Sequence, residues 1–257
     1  MELIGLQTDI AWHDRTGNYA LVTALLERAR PAPGALVVLP EMFASGFSRD
    51  VPAATEGAAE SEAFLSGLAK KYRIALMAGL ATRVDGCGAN VSVTFGPDGG
   101  ELARYRKLQP FSMGQEPENY PPGSRVVTFP WGGFTVAPFI CYDLRFPELF
   151  RLATDRGADL FAVVASWPNR RHHHWSTLLR ARAIENMAGM IGVNRAGTDP
   201  EFTYAGGSAI LGPQAEVLAE AGDTQGFIKA ELSPETVAEW RACFPALRDR
   251  RRDLSSL

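Results

Sequence analysis

Apolar and polar positions alternate along the chain in two periods, and the switches between them mark its elements. Runs with the strand period fall at 3–7, 35–40 and 74–80, separated by stretches with helical spacing at 18–29 and 61–71. This is the order of an α/β fold. Two further strands, 91–95 and 101–106, flank Gly96-Pro97-Asp98-Gly99-Gly100. So short a turn joins antiparallel neighbours, and the sheet is therefore expected to be mixed. After a proline-rich stretch at 111–122 the pattern resumes with strands at 125–129 and 134–140, a helix from Pro147, a strand at 160–165 and a helix over 175–187. Strands at 190–194, 209–211, 216–218 and 226–231 follow. Ser233-Pro234 then opens a last helix with a capping hydroxyl and a proline in the first turn. So many strands, with amphipathic helices carrying Leu21, Leu25 and Leu26 or Leu178, Leu179 and Ile184, predict two packed sheets flanked by helices.

Composition narrows the class. The 257 residues are 46% hydrophobic and 21% charged, enough to bury a sizeable core as one domain over 1–257. A net charge of -3 and a pI near 5.9 speak against a general nucleic-acid binder. The basic cluster at 248–252 is interrupted by Asp249 and reads as a solvated tail. The first residues lack the basic and apolar pattern of a signal peptide, and no run approaches a membrane span, so a cytoplasmic location is expected.

Cys87, Cys141 and Cys243 are too few and too unevenly placed for a disulfide framework or a zinc motif. Cys87 lies in a turn signal, Asp85-Gly86-Cys87-Gly88, and Cys243 follows a helical stretch. Only Cys141 ends a buried strand, with Tyr142-Asp143-Leu144-Arg145-Phe146-Pro147 turning toward a helix behind it. A thiol there can act as a nucleophile, since the amides of the next turn can bind a developing negative charge. Taken alone, it reads more readily as a small hydrophobe at a strand end.

A nucleophilic thiol needs a proton acceptor and an oxyanion partner. Glu41 repeats the Cys141 arrangement: the apolar run Leu36-Val37-Val38-Leu39-Pro40 ends in a carboxylate followed by the loop 42–47. Desolvation in such a setting raises a carboxylate's pKa and suits it to accept a proton, although a loop glutamate can also merely cap an amide. Lys107 ends the alternating strand 101–106. It is either a solvated charge or an ammonium that favours the thiolate and binds the oxyanion, with Glu116 placed to orient it. The rival base is histidine. His172-His173-His174 point in different directions on a helix, which weakens both a metal site and a Cys–His pair. Phosphate-loop, dinucleotide and Gly-x-Ser-x-Gly signatures are absent.

Leu39-Pro40-Glu41, Arg106-Lys107-Leu108 and Cys141-Tyr142-Asp143-Leu144-Arg145-Phe146-Pro147-Glu148, in that order, resemble the three motifs of the nitrilase superfamily of carbon-nitrogen hydrolases. The likeness extends through Ser166-Trp167-Pro168, 181–186, Asn194-Arg195 and Gly207-Ser208 to about Glu231. It implies a four-layer αββα sandwich, no metal or organic cofactor, and a homodimer or larger homo-oligomer. It makes Cys141 the nucleophile, Glu41 the general base, Lys107 the oxyanion partner and Glu116 a second glutamate. The segments 42–48, 141–147, 165–168 and 174–186 are most similar to the omega-amidase branch, whose members hydrolyse 2-oxoglutaramate and 2-oxosuccinamate. Gln109-Pro110 stands where many members carry His-Leu. For such a substrate the Tyr142 amide would share the oxyanion, Arg145 would meet the distal carboxylate, and Phe47, Phe139 and Trp167 would wall the pocket. A nitrilase, an aliphatic or carbamoyl amidase, and a non-catalytic metabolite-binding protein of the same fold are the alternatives.

Overall fold

The computed structural model describes residues 1–251; Arg252, the end of the basic cluster, lies outside the described residues. The elements are, in order, β1 (Glu2–Gln7), α1 (Arg15–Ala29), β2 (Leu36–Val38), α2 (Val51–Thr55), α3 (Ala58–Tyr72), β3 (Ala75–Val84), β4 (Cys87–Phe95), β5 (Glu101–Arg106), α4 (Glu116–Asn119), β6 (Phe129–Trp131), β7 (Phe134–Ile140), α5 (Pro147–Asp155), β8 (Leu160–Ala165), α6 (His172–Asn186), β9 (Gly189–Asn194), β10 (Ala196–Thr198), β11 (Thr203–Ala205), β12 (Ala209–Leu211), β13 (Val217–Glu220), β14 (Gly226–Glu231), α7 (Pro234–Cys243) and α8 (Ala246–Asp249).

Two six-stranded mixed sheets form, in the orders β14-β1-β2-β3-β4-β5 and β13-β12-β9-β8-β7-β6. In the first, β1, β2 and β3 run parallel, and β4 and β5 return as antiparallel hairpins. In the second, β7, β8 and β9 are parallel between antiparallel outer strands. The period of two sorts the first sheet's side chains. Leu3, Leu36, Val38 and Met77 face the other sheet, whereas Ile4, Val37 and Leu76 pack with Leu25, Leu26 and Leu65 of α1 and α3. The second sheet packs its outer face against Leu149 and Phe150 of α5 and Trp175 and Leu179 of α6, which completes the two-sheet, helix-flanked architecture.

Helix ends follow local chemistry. Asp14 accepts a hydrogen bond from the Gly17 amide at the start of α1, and Ser233 accepts from Thr236 N at the start of α7.

Two expectations are corrected and one element is added. Residues 125–128 are not a strand, because the Val126 carbonyl accepts from the Arg156 guanidinium in place of a neighbouring strand, and pairing begins only at Phe129. Cys87 is the first residue of β4 and not part of the turn, which is confined to Asp85 and Gly86. The hairpin of β10 and β11 is an additional element, its strands too short to show a period.

Candidate active site

The functional side chains sit where strands stop. Glu41 lies three residues beyond β2 and Lys107 directly after β5, both on the first sheet. Cys141 follows β7 and Ser166 follows β8, both at the carboxyl ends of parallel strands of the second sheet, where crevices open in α/β folds. Cys141 begins a turn of 3₁₀-helix, Cys141–Arg145, with φ of 46°, and Met42 beside Glu41 has φ of 47°. Left-handed backbone at residues other than glycine costs about 1–2 kcal/mol each; at Cys141 it turns the thiol out of the strand direction toward the cleft, whereas the Met42 side chain packs with Ala54, Ala81 and Tyr120.

Glu41, Lys107 and Glu116 form a buried charge cluster. Lys107 Nζ donates to Glu41 Oε1 at 2.9 Å and to Glu116 Oε2 at 2.8 Å. Asn90 of β4 donates from Nδ2 to Oε1 of both carboxylates, at 2.7 and 2.8 Å. The other oxygen of Glu41 accepts from the Ser166 amide at 2.9 Å, and the Ser166 hydroxyl donates to the Glu41 carbonyl at 3.2 Å. Glu116 is fixed further by the Phe111 amide at 2.6 Å. Two carboxylates therefore share one ammonium, an arrangement that burial permits only because nearly every oxygen has a donor.

Burial alone would lower the lysine's pKa, but the carboxylates of Glu116 and Glu41 raise it well above its ordinary value, so Lys107 stays an ammonium. Cys141 is displaced the same way for other reasons. Desolvation and then the Glu41 charge push the thiol well above its usual range, against the downward pull of Lys107 and the Ser166 amide. The resting group is a thiol, and it needs a base before it can attack.

Glu41, Lys107 and Cys141 floor an open cleft. Phe47, Tyr142, Arg145 and Trp167 line it, as does the Ser166 loop. Phe47 covers the lysine, with Nζ 5.5 Å from its ring centre. Phe139 is not brought to the cleft. It is fully buried against Phe150 of α5 and Phe161 of β8, with ring centres 4.1 and 6.0 Å apart. The left-handed backbone at Cys141 ends the strand alternation that would have set residues 139 and 141 on one side.

The cleft also holds residues that motif reading passed over. Arg49, Arg171, Phe111, Glu201, Phe202 and Tyr204 line it, the last three brought in by the β10–β11 hairpin. Arg49 pairs with Glu201 across the mouth. Arg145 lies 4.7 Å over the Trp167 ring and contacts His174 Nδ1 at 3.2 Å; Arg171 lies 5.2 Å over Phe111. Neither Arg145 nor Arg171 has an acidic partner among the described residues. Desolvation, then repulsion from Arg170 and Arg145, holds Arg171 below its ordinary pKa. Asn90 could have been noticed as an amide in the middle of a strand otherwise built of β-branched and small residues. No histidine lines the cleft, and among the described residues no three His, Cys, Asp or Glu side chains are grouped as a metal site needs.

The profile of the carbon-nitrogen hydrolase family matches residues 3–242. The chain belongs to that family. It is a hydrolase acting on carbon-nitrogen bonds, and its relatives point the same way. Omega-amidase YafV of Escherichia coli K12 is 35% identical over 246 residues, which is 95% of this chain and 94% of the relative. The 2-oxoglutaramate amidase of Bacillus subtilis is 33% identical over 252 residues, 97% of each protein. Among solved structures, XC1258 of Xanthomonas campestris, a superfamily member with an arsenic adduct in its active site, superposes with a TM-score of 0.92. It is 33% identical, with 99% of this chain and 98% of that one covered. Among the described residues, no helix of this hydrolase is long and apolar enough to cross a membrane.

Proposed function

We propose that this hydrolase cleaves the amide of small dicarboxylate monoamides, of which 2-oxoglutaramate and 2-oxosuccinamate are the reference substrates, through a thioester on Cys141. One observation carries the reading: Cys141, Glu41 and Lys107 meet on the floor of a cleft whose wall holds two arginines, Arg145 and Arg171, without acidic partners. The names of relatives that span nearly the whole chain support the same substrate class.

In the first half-reaction Glu41 takes the thiol proton and the sulfur attacks the amide carbon. The oxyanion is held by the Lys107 ammonium and the Tyr142 backbone amide, donors worth about 3 kcal/mol each in such sites. The intermediate collapses with cleavage of the carbon–nitrogen bond, and the proton on Glu41 passes to the leaving nitrogen, which departs as ammonia. Water then enters, gives its proton to Glu41 and attacks the thioester. Cleavage of the carbon–sulfur bond releases the acid, and Cys141 regains its proton. Lys107 remains charged throughout, secured by Glu116 even while Glu41 carries the proton. Glu116 and Asn90 hold that ammonium in place. Arg145 and Arg171 receive the distal carboxylate, and Phe47 and Trp167 exclude water around the reacting carbon.

Ammonia release from a panel of dicarboxylate monoamides, neutral aliphatic amides, nitriles and carbamoyl amines tests the reading. The monoamides are expected to be turned over with the highest kcat/KM, and Cys141→Ala to abolish it. Preferential turnover of nitriles or carbamoyl amines would replace the substrate assignment, and full activity in Cys141→Ala would remove the nucleophile.

A further inference from the structure

The reacting groups come from two different sheets, so something has to hold the sheets' ends in register. On the Glu41 side that link is Ser166, whose amide and hydroxyl both bind Glu41. On the Lys107 side it is a carboxylate with no part in the chemistry above. Asp143, two residues after Cys141, is fully buried. Its Oδ2 accepts from the Ile140 amide at 2.9 Å and from the Tyr105 hydroxyl at 2.8 Å, and its Oδ1 accepts from the Gln109 amide at 2.8 Å. Tyr105 Oη in turn accepts from the Leu108 amide at 3.3 Å. One carboxylate therefore binds the residue before the nucleophile and, directly or through Tyr105, residues on both sides of Lys107.

We infer that Asp143 is a positioning residue that sets the distance between the Cys141 thiol and the Lys107 ammonium by tying the end of β7 to the end of β5. The inference rests on Cys141 as nucleophile and adds a group that never touches substrate. Its three donors come from both sheets, and an ionised carboxylate is the side chain that accepts from all of them at once. An asparagine of the same shape cannot. With its oxygen toward Ile140, its amide group faces the Gln109 N–H; flipped, it faces the Ile140 N–H. The first orientation keeps Ile140 and Tyr105 but releases the Gln109 amide beyond Lys107, and the second releases the end of β7; displacement of a reacting group by about 1 Å can cost up to about 100-fold in rate.

The test compares Asp143→Asn and Tyr105→Phe with the parent protein, using an amide that the parent turns over. Active sites are counted from the Cys141 peptide labelled by iodoacetamide. The expected result for Asp143→Asn is a kcat per labelled site lower by roughly 10- to 100-fold with KM unchanged. Tyr105→Phe, which keeps the carboxylate and removes one donor, is expected to lose less and to show Cys141 labelling with a higher pH midpoint, because the ammonium no longer sits as close to the thiol. Parent kcat per labelled site in both variants, or a loss only in proportion to the unlabelled fraction, overturns the inference by making Asp143 a packing residue. If Asp143→Asn does not fold, Tyr105→Phe decides by the same two readouts. Activity retained in Cys141→Ala would instead strike the nucleophile assignment.

Discussion

Lys107 Nζ lies 2.9 Å from Glu41 Oε1, and both side chains are almost wholly withdrawn from water. The pair is incomplete without Glu116 on the other side of the ammonium. Lys107→Met should therefore destabilise the fold by roughly 3–5 kcal/mol, because two carboxylates are left buried without a cation, and should also abolish turnover. Adding Glu116→Gln should restore part of the stability and none of the activity. Urea unfolding of the single and double variants, alongside ammonia release, checks both halves.

Arg145 and Arg171 are expected to discriminate by charge. Replacing either with methionine should raise KM for a dicarboxylate monoamide by roughly 10- to 100-fold, the loss of one charge-assisted hydrogen bond of about 1.5–3 kcal/mol. Neutral aliphatic amides should be unaffected. Arg49→Met should have a smaller effect on the same comparison, since its charge is already met by Glu201. A common loss on charged and neutral amides would show that the arginines shape the cleft without reading the substrate.

Gly79 of β3 fixes the height of Glu41. A Cβ at this position would lie 2.4 Å from Glu41 Cα and 2.9 Å from Met42 N, both backbone atoms that cannot swing aside. Gly79→Ala is expected to cost roughly 1–3 kcal/mol by overpacking and to lower kcat more than KM. Kinetics normalised to the folded fraction separate the two effects.

Asp143 gives a pH signature. Burial pushes its carboxyl up to about 7, against the Ile140 amide, the Lys107 charge, the Tyr105 hydroxyl and the Gln109 amide. The unfolded chain ionises this group near 4, so between about 4 and 7 the folded state holds the extra proton. Its contribution to stability is therefore fully present below pH 4 and lost as pH rises through 7, a change of about 4 kcal/mol. Catalysis should run the other way, since a protonated carboxyl gives up an acceptor that one strand end needs. Asp143→Asn should flatten this part of the stability profile when urea midpoints are followed from pH 4.5 to 8.

The central strands of the second sheet were legible because they are buried on both faces and read as nearly unbroken apolar runs: 134–140 and 160–165 appear with the expected bounds. Glu41 and Cys141 were legible for a related reason, each being a polar group placed where such a run stops, and Lys107 because it directly follows an alternating strand. What escaped was set by contacts distant in sequence. Arg171 and Tyr204 enter the cleft from a 3₁₀ turn and a hairpin of three-residue strands, neither of which has a period. Phe139 looked like a wall because it neighbours the nucleophile, yet a single positive φ sends Cys141 one way and leaves Phe139 in the core. Asp143 lay inside a recognised motif, and its partners Tyr105 and Gln109 could be identified only once the sheets were packed.

The division of the centre between two sheets has a bearing on how the chain matures. Glu41, Asn90 and Lys107 belong to the sheet whose strands β1 to β5 come from the first 106 residues and whose edge is completed by β14, and the thiol belongs to the other sheet. Strands β1 to β5 and β6 to β9 can gather early, since neighbouring segments pair with short loop closures, whereas pairing β14 with β1 and joining the two faces are long-range events. On the proposed mechanism, a newly made chain thus carries a thiol without its base and its ammonium until the halves dock. During refolding, the return of turnover marks docking, not the earlier appearance of strands.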